Sequence, residues 1–324
     1  MKTIFAFVCC ALFIFGCTQK NSFPVLKGDY LGQELPGDEA KLFAPGIVST
    51  GLHDRDFAIM PDLSEIVYSM TEQPHCVMVS LKQKGEIWSK QEVLPFSGYY
   101  DDVEPAFSPD GKRLYFCSNR PLTGQGEPKD FDIWYVERTA TGWGEPQNPG
   151  APLNSDKNEF YPSVTSQGTI YFTSADMKIY KSEFVDGNYT TPEKCSEKIN
   201  SPVAEYNAFI APDESYLIFT SHGWEGGRAG RGDLFISFRN TDGSWKEAKN
   251  LGADINSEAI DYCPCVTPDG KYLFFSSMRG AEEYDPEPIR SYEEIEKRSN
   301  MPQNGKNDIY WVSTSFIEKL KSGD

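Results

Sequence analysis

Hydrophobic residues in this chain occur in short clusters of three or four, separated by polar and turn-forming residues. Leu114-Tyr115-Phe116 and Leu273-Phe274-Phe275 each follow a Pro-Asp-Gly turn, and a further cluster such as Ile133-Trp134-Tyr135 comes after a loop. The clusters are rich in aromatic residues and are too short for helices of ordinary length. Proline and glycine stand at the turns, where a fixed or a positive φ is needed. The pattern predicts many short β-strands and very little helix.

A larger unit repeats five times, and each copy carries an acidic residue eight positions before its turn. The turns are centred at positions 62, 110, 167, 213 and 269, so they lie 48, 57, 46 and 56 residues apart. After the turn come a second strand, a third strand and a fourth strand, and three copies then end in Asn-Ser. Those lengths suit a blade of four strands. The repeated acids are Asp54, Asp102, Glu159, Glu205 and Asp261.

We therefore predict an all-β protein that forms a single five-bladed β-propeller with four-stranded blades over residues 41–324. The last copy stops after its third strand, whereas residues 41–50 align with the fourth strand of the other copies. The N-terminal strand should then complete the last blade and remove an open sheet edge. A six-bladed ring is the alternative, although it needs a copy that the sequence does not display.

The repeat resembles a known family. Its Pro-Asp-Gly turns, the Phe-x-Ser-x-Arg endings at residues 116–120 and 275–279, and its Asp-Ile-Trp or Asp-Ile-Tyr third strands are similar to the TolB-like, WD-type propeller repeat over residues 41–313. Residues 226–237 and 307–311 also resemble envelope lipoproteins of this type from Bacteroidota-like bacteria. The resemblance implies a propeller but leaves the function open, because propellers include enzymes, receptors and scaffolds.

The first 16 residues have the features of a lipoprotein signal peptide. Lys2 precedes an apolar run of about a dozen residues, whereas a membrane-spanning helix needs roughly 20. Ile14-Phe15-Gly16-Cys17 reads as a lipobox, which predicts cleavage before Cys17 and its acylation by chains such as palmitate, with residues 17–40 as a tether. An ordinary signal peptide with an incidental Cys17 is the alternative. Thr18 after the cysteine resembles outer-membrane sorting, so we expect a lipid-anchored, periplasm-facing protein.

Charge and cysteine content narrow the classes of partner. The chain carries a net charge of −17 at pH 7, which argues against nucleic acid and against an anionic membrane surface as partners. We expect membrane contact only through the lipid on Cys17. The five later cysteines show no disulfide framework, although one disulfide stays open. Cys263 and Cys265 are two apart on a predicted strand, so we expect both on one face as small core residues.

Residues that break the repeat are better site candidates than the five acids, which recur in every blade and are interpreted as structural acceptors of backbone N–H groups. A shared cation or an acid/base pair is the alternative role for the acids. No histidine pair has metal-ligand spacing and no nucleophile or phosphate motif occurs, so we assign no catalytic residue, metal or cofactor. The candidate ligand-binding residues are Asp56, Glu104, Arg120, His222, Trp224 and Arg279.

Each candidate has a chemical reason. The carboxylates Asp56 and Glu104 lie two residues after a repeated acid. Arg120 and Arg279 could clamp a carboxylate or sulfate with two hydrogen bonds, or could pair with a neighbouring acid. His222 and Trp224, in a glycine-rich loop, could stack on a sugar ring.

The long loops indicate where a ligand would bind. They follow the second strands of blades two, four and five, at residues 119–130, 222–232 and 278–307, on the face that carries the acids. Ser291 and Glu294 predict a capped helix inside the longest loop. We expect a non-catalytic envelope lipoprotein that binds a protein partner or a glycan at this face. The alternative is a carbohydrate-active hydrolase or lyase with its site on the same face.

Overall fold

The computed structural model describes residues 23–72, 75–227, 231–280 and 289–322. Cys17, the signal peptide and the start of the tether lie outside these residues, so the lipoprotein prediction stays a prediction. The described chain begins with a 3-10 turn at Asp29–Gly32 and a short strand, β1 (Lys41–Leu42). Five antiparallel sheets follow, each built outward from an innermost strand, because the short strands and their turns favour pairing of sequence neighbours.

The five sheets are the blades of the propeller. Blade 1 contains β2 (Asp54–Ile59), β3 (Glu65–Glu72) and β4 (His75–Lys84), and both β5 (Ile87–Trp88) and β6 (Glu92–Val93) pair with β4. Blade 2 contains β7 (Asp102–Phe107), β8 (Arg113–Ser118), β9 (Asp132–Thr139) and β10 (Gly142–Trp143). Blade 3 contains β11 (Glu159–Val164), β12 (Ile170–Ser174), β13 (Lys178–Ser182) and β16 (Glu193–Lys194), with a separate hairpin of β14 (Phe184–Val185) and β15 (Asn188–Tyr189). Blade 4 contains β17 (Glu205–Ile210), β18 (Tyr216–Ser221), β19 (Asp233–Phe238) and β20 (Lys249–Asn250). Blade 5 contains β21 (Asp261–Val266), β22 (Tyr272–Ser277), β23 (Asp308–Ser313) and β1.

The N-terminal strand closes the ring. β1 pairs antiparallel with β23, with Lys41 opposite Trp311 and Leu42 opposite Tyr310. The innermost strands contact their neighbours all round, including β2 against β21. The predicted five-bladed propeller with an N-terminal closing strand is therefore confirmed, and the six-bladed alternative is wrong.

The hydrophobic core lies between adjacent blades, because alternate residues of each strand face the neighbouring sheet. Where blade 5 meets blade 1, Phe57 stacks on Phe274 with ring centroids 3.9 Å apart. Phe43, which follows β1, meets both rings edge-on at 5.6 and 4.9 Å. Burial of one such side chain stabilises the fold by about 1.5–3 kcal/mol. The N-terminal segment thus supplies core packing as well as a strand.

A repeated asparagine ties the start of the next blade to the third strand. Its side-chain oxygen accepts an N–H, and its amide donates to the carbonyl of the same third-strand residue. Ser49 has the same role where the N-terminal segment joins blade 5. Its hydroxyl accepts the N–H of Ile309 and donates to the Ile309 carbonyl, both at 3.0 Å. The asparagine pairs are Asn154 with Ile133, Asn200 with Ile179 and Asn256 with Leu234.

Each innermost strand contains a β-bulge at the same place, where the pairing with the second strand shifts by one residue. The bulge residue has a left-handed φ of 48–61° although it is not glycine, which is uncommon. The bulge brings this side chain to the axis of the ring. The five bulge residues are Asp56, Glu104, Tyr161, Asn207 and Cys263.

The bulge also changes the position of the cysteines. Cys263 is the bulge residue and is fully buried, whereas Cys265 lies beyond the bulge and lines a cavity at one end of the central channel. The expectation that the two thiols share one face is therefore wrong, because a bulge interrupts the alternation of side chains along a strand. Cys76, Cys117, Cys195, Cys263 and Cys265 are all free thiols.

Two helices lie outside the sheets. α1 (Tyr292–Ser299) lies in the long loop of blade 5, and the Ser291 hydroxyl accepts the N–H of Glu294, which confirms the predicted helix and its cap. α2 (Ser315–Ser322) follows the last strand and buries Ile317 against the core between blades 4 and 5. In the described ranges, we find no helix whose length and apolar content would let it cross a bilayer.

Candidate functional site

The two faces of the ring carry different connections. The loop-rich face holds the segments that enter the innermost strands and the loops between second and third strands. The turn face holds the Pro-Asp turns and the connections between third and fourth strands. The repeated acids begin the innermost strands and therefore lie at the loop-rich face.

The repeated acids accept hydrogen bonds from the residues that enter their own blade. Thr50 donates its N–H and its hydroxyl to Asp54 at 2.8 and 2.7 Å. Ser257 donates both groups to Asp261, and Ser155 and Ser201 donate hydroxyls to Glu159 and Glu205 in the same way. Burial raises the pKa of Glu159 to about 7, against the opposing effect of the bonds from Ser155.

Arg120 and Arg279 are engaged inside their own blades. The Arg120 guanidinium lies 2.5 Å from Asp102 and also donates to Ser118 and to the Phe96 carbonyl. Arg279 repeats this arrangement with Asp261 at 2.5 Å. The ion pair with a neighbouring acid, which the sequence left open as an alternative, is the geometry present. Both arginines hold the turn of chain that follows the second strand.

His222 and Trp224 lie together in the loop of blade 4 but make different contacts. The Tyr206 hydroxyl lies 2.8 Å from Nε2 of His222. The Trp224 indole packs against the core between blades 3 and 4, and its N–H donates to the Ile199 carbonyl at 3.0 Å. The indole N–H is thus used within the fold, while His222 stands beside an aromatic residue of the channel.

Asp56 and Glu104 meet at the centre of the ring, where Arg55 bridges them. Nε of Arg55 lies 2.8 Å from Asp56, and its Nη2 lies 3.2 Å from Glu104. Glu104 also accepts the Tyr161 N–H at 2.7 Å and the Asn207 amide at 3.3 Å. The channel is therefore closed at its middle by a polar cluster, and both carboxylates are buried.

The electrostatics of this cluster are those of two carboxyls around one cation. Burial and the neighbouring Asp56 carboxylate raise the pKa of Glu104, and Arg55 partly opposes this. One oxygen of Asp56 has no hydrogen-bond partner. A buried carboxyl with a raised pKa beside a second carboxylate has the chemistry of an acid/base pair, but here it lies at the closed part of the channel.

Sequence reasoning missed Arg55. Its position in the other copies is occupied by Val103, Phe160, Tyr206 and Tyr262. The Arg55 guanidinium lies over the Tyr262 ring at 5.1 Å and its side chain is 21% exposed. The signal that would have found it is a charged residue at a repeat position that is otherwise apolar or aromatic.

The loop-rich face also exposes apolar side chains. Ten of the sixteen exposed large hydrophobic residues in the described ranges lie on its loops. Single exposed apolar side chains are common, whereas their concentration on one face is a feature of binding surfaces. The ten are Leu52, Tyr99, Leu122, Met177, Val203, Met278, Ile289, Tyr292, Ile295 and Met301.

α1 rests on this face with none of its residues buried. Asn304, just after the helix, donates to the Gly51 carbonyl and so ties the insertion to the segment that enters blade 1. Tyr292 and Ile295, three residues apart on one side of the helix, are 73% and 45% exposed. The helix is thus positioned by the propeller while its apolar side chains face solvent.

The central channel opens on the turn face through a cavity of about 370 Å³. Turn prolines such as Pro109 line this cavity together with Phe107 and Phe209, and Tyr161 lies at its inner end. The Tyr161 hydroxyl donates to the Pro264 carbonyl. This funnel is apolar, and the Arg55 cluster lies beyond it toward the loop-rich face.

Comparisons with known proteins find distantly similar solved structures and no family. No protein-family model matches the chain, and no curated protein matches it. Among solved structures, TolB from Acinetobacter baumannii is 15% identical with a TM-score of 0.45, over 82% of this chain and 55% of that one. A putative TolB from Agrobacterium tumefaciens is 15% identical with a TM-score of 0.47, over 81% and 90%. The α-L-arabinofuranosidase PaAbf62A from Podospora anserina, in complex with cellotriose, is 12% identical with a TM-score of 0.45, over 86% and 94%. The chain spans about half of the Acinetobacter TolB. Its five sheets make it a five-bladed β-propeller.

Proposed function

We propose that this chain is a non-catalytic binding protein of the cell envelope that docks a protein partner on its loop-rich face. The observation that carries the proposal is the set of exposed apolar side chains on that face, including those of α1. Burying such side chains at an interface is favourable, and exposing them without a partner is not.

α1 is the centre of the proposed docking surface. Tyr292 and Ile295 form an apolar stripe on a helix that has no buried residue, so a partner can cover the stripe without displacing core residues. Tyrosine near the middle of an interface is among the residue types that contribute most to affinity. The net charge of −17 favours a partner with a basic surface, which would associate more slowly in high salt.

The carbohydrate-active alternative has one observation in its favour. Glu104 has a raised pKa and lies beside Asp56, as the acid and base of a glycosidase would. Against it, both carboxylates are bound to Arg55, and they are only 5% and 1% exposed. A sugar ring cannot reach them without displacing Arg55, so the binding role is the better supported of the two.

The envelope location in this proposal rests on the N-terminal sequence. Acylation at Cys17 would tether the ring through residues 17–40. Leu26, Tyr30 and Leu31 of this segment are buried in the core between blades 5 and 1, so the part that can act as a tether ends before Leu26. We infer an outer-membrane anchor from Thr18.

The test is affinity capture from envelope extract with the full-length protein, followed by quantitative mass spectrometry. The variant Tyr292→Ser/Ile295→Ser removes the stripe, and Val93→Ser, a similarly exposed residue on the outer edge of blade 1, is the matched control. We expect a partner that is recovered with the wild type and the control but at least tenfold less with the double variant. Equal recovery with all three proteins contradicts the proposal. Glycoside hydrolysis that disappears in Glu104→Gln would replace it with the enzyme alternative.

A further inference from the structure

A second cavity lies on the turn face, between blades 2 and 3 and away from the proposed docking surface. Its volume is about 400 Å³, within the range of small-molecule sites. Its walls come from the Ser108–Arg113 turn region, from the outer end of β9 and from the hairpin β14–β15. The cavity is independent of the function proposed above.

Hairpins of the same kind follow the third strand in blades 1, 2 and 4, where Lys84 pairs with Ile87, Thr139 with Gly142 and Arg239 with Trp245. The hairpin β14–β15 of blade 3 lies over the degenerate turn Ser166-Gln167-Gly168, which lacks the Pro-Asp of the other copies. At Gly168, where φ is +86°, a Cβ would come within 3.3 Å of Phe184. Regular turns have the same glycine, as at Gly111 and Gly270. The feature particular to this cavity is Phe184, which stands at the rim with 37% exposure where blades 2 and 4 have Arg138 and Arg239.

Polar groups line the inner wall in one connected row. Nε and Nη2 of Arg113 donate to Oε1 of Glu137 at 3.3 and 3.1 Å. Nη1 reaches the Tyr115 hydroxyl at 3.5 Å, and that hydroxyl lies 3.2 Å from the hydroxyl of Tyr189. At the register of Arg113 and Glu137, blade 4 has Tyr216 opposite Phe238 and blade 5 has Tyr272 opposite Ser313. Blade 1 has an ion pair of the opposite orientation at this register, Glu65 with Lys82. The feature that distinguishes this cavity is the link from Arg113 through Tyr115 to Tyr189.

Four of the five charged side chains that line the cavity form ion pairs, Arg113 with Glu137 and Lys112 with Asp110 at 3.0 Å. The fifth, Arg138, lies over the Trp143 ring and interacts with the carboxylates of Asp62 and Glu65 in blade 1. Each cation of the lining thus already has a carboxylate beside it, which does not favour an anionic ligand. A neutral ligand with several hydroxyls can instead donate to the carboxylates and accept from the guanidinium and the phenols.

We propose that this cavity binds a neutral pyranose sugar. The exposed ring of Phe184 packs against the C–H face of the sugar, and the Arg113–Glu137 pair and the two tyrosine hydroxyls bond its hydroxyl groups. Aromatic packing combined with a few oriented polar groups is what a site of this size uses for orientation. The sugar is either free or the terminal residue of a glycan, since both present the same face and hydroxyls.

Saturation-transfer NMR on the full-length protein, with methyl glycosides of glucose, galactose and mannose, tests the free sugar. A neutral glycan array tests the terminal residue. Phe184→Ala removes the packing surface and Arg113→Met removes the guanidinium. Val185→Ala is the matched control, because Val185 is the next residue of the same short strand, is 50% exposed and does not line the cavity. Thermal unfolding verifies that each variant is folded.

We expect at least one methyl glycoside or array glycan to bind the wild type and Val185→Ala equally, and to bind Phe184→Ala and Arg113→Met about tenfold more weakly, a change of about 1.4 kcal/mol. Binding only on the array identifies a glycan terminus as the ligand. The proposal is overturned if no neutral sugar binds in either format, or if binding persists unchanged in both variants. Because Tyr292→Ser/Ile295→Ser leaves this cavity intact, sugar binding and partner capture fail independently.

Discussion

Replacing Arg55 with methionine tests whether the polar cluster at the centre of the ring is held by one cation. Methionine keeps most of the aliphatic stem and its packing on Tyr262, but it leaves Asp56 and Glu104 facing each other without compensation. Breaking a buried ion pair by removing one partner costs about 3–5 kcal/mol. The Arg55 side chain keeps some contact with solvent, so we expect a loss near the lower limit, about 3 kcal/mol at pH 7.5.

The pH dependence separates this reason from a simple loss of packing. Because the folded-state pKa of Glu104 is raised, the folded protein holds its proton more tightly than the unfolded chain, and the variant raises that pKa further. At pH 5.5 Glu104 is then mostly protonated, so only Asp56 remains as a buried charge and the loss should be smaller.

The assay is urea unfolding followed by tryptophan fluorescence at pH 7.5 and 5.5. Arg113→Met, which breaks a more exposed pair with Glu137, should cost less than about 1 kcal/mol at either pH. Arg55→Met/Glu104→Gln should recover part of the loss at pH 7.5. A cost for Arg55→Met below about 1 kcal/mol, or an equal cost at both pH values, would refute the reasoning.

Three further predictions concern the rest of the fold. Burial raises the pKa of both Glu159 and Asp308 to about 7. The folded state therefore binds more protons than the unfolded chain between about pH 4.5 and 7, and the free energy of unfolding should fall as pH rises through that window. A flat or rising profile in denaturant titrations would contradict this prediction. Asn256→Ala should cost about 2 kcal/mol in the same titrations, because it leaves a buried N–H and carbonyl of the third strand unpaired, and an unchanged midpoint would count against it. If the N-terminal segment closes the ring, Phe43→Ala should lower the free energy of unfolding measured by calorimetry by about 3–5 kcal/mol. Leu35→Ala, at an exposed position, should change it by less than about 0.5 kcal/mol. Equal effects of the two variants would contradict the closure.

The fold could be predicted because a repeated residue makes the same hydrogen bonds in each copy where it occurs. Asn256 and its equivalents each bond one third-strand residue, and Ser257 and its equivalents each donate to the acid four positions later. Residues 41–50 could be assigned to the last blade for the same reason, since Thr50 stands four positions before Asp54 and donates to it. Repetition therefore identified the blades and their closure without any knowledge of the packing.

The channel could not be predicted from the same pattern. A period of two places side chains correctly only along a regular strand, and the bulges at Asp56 and Cys263 shift the alternation by one residue. Nothing in a single strand shows that Asp56 and Glu104, 48 residues apart, meet at the axis. Arg55 could have been suspected from its repeat position, but its contact with Glu104 depends on the packing of blades 1 and 2, and its contact with Tyr262 depends on the ring being closed.

Residues that depart from the repeat are where a propeller acquires a specific function, because the repeated ones are already used to hold the blades together. Arg120 and Arg279 illustrate this, since they occupy matching repeat positions and both serve an ion pair within their blade. The unrepeated features lie on opposite faces: α1 and its exposed stripe on the loop-rich face, and the Phe184 side chain with the cavity it borders on the turn face. The closed cluster around Arg55 lies between them, so a ligand on one face has no open path to the other. The two faces can therefore carry different ligands, and variants of one face should leave binding at the other unchanged.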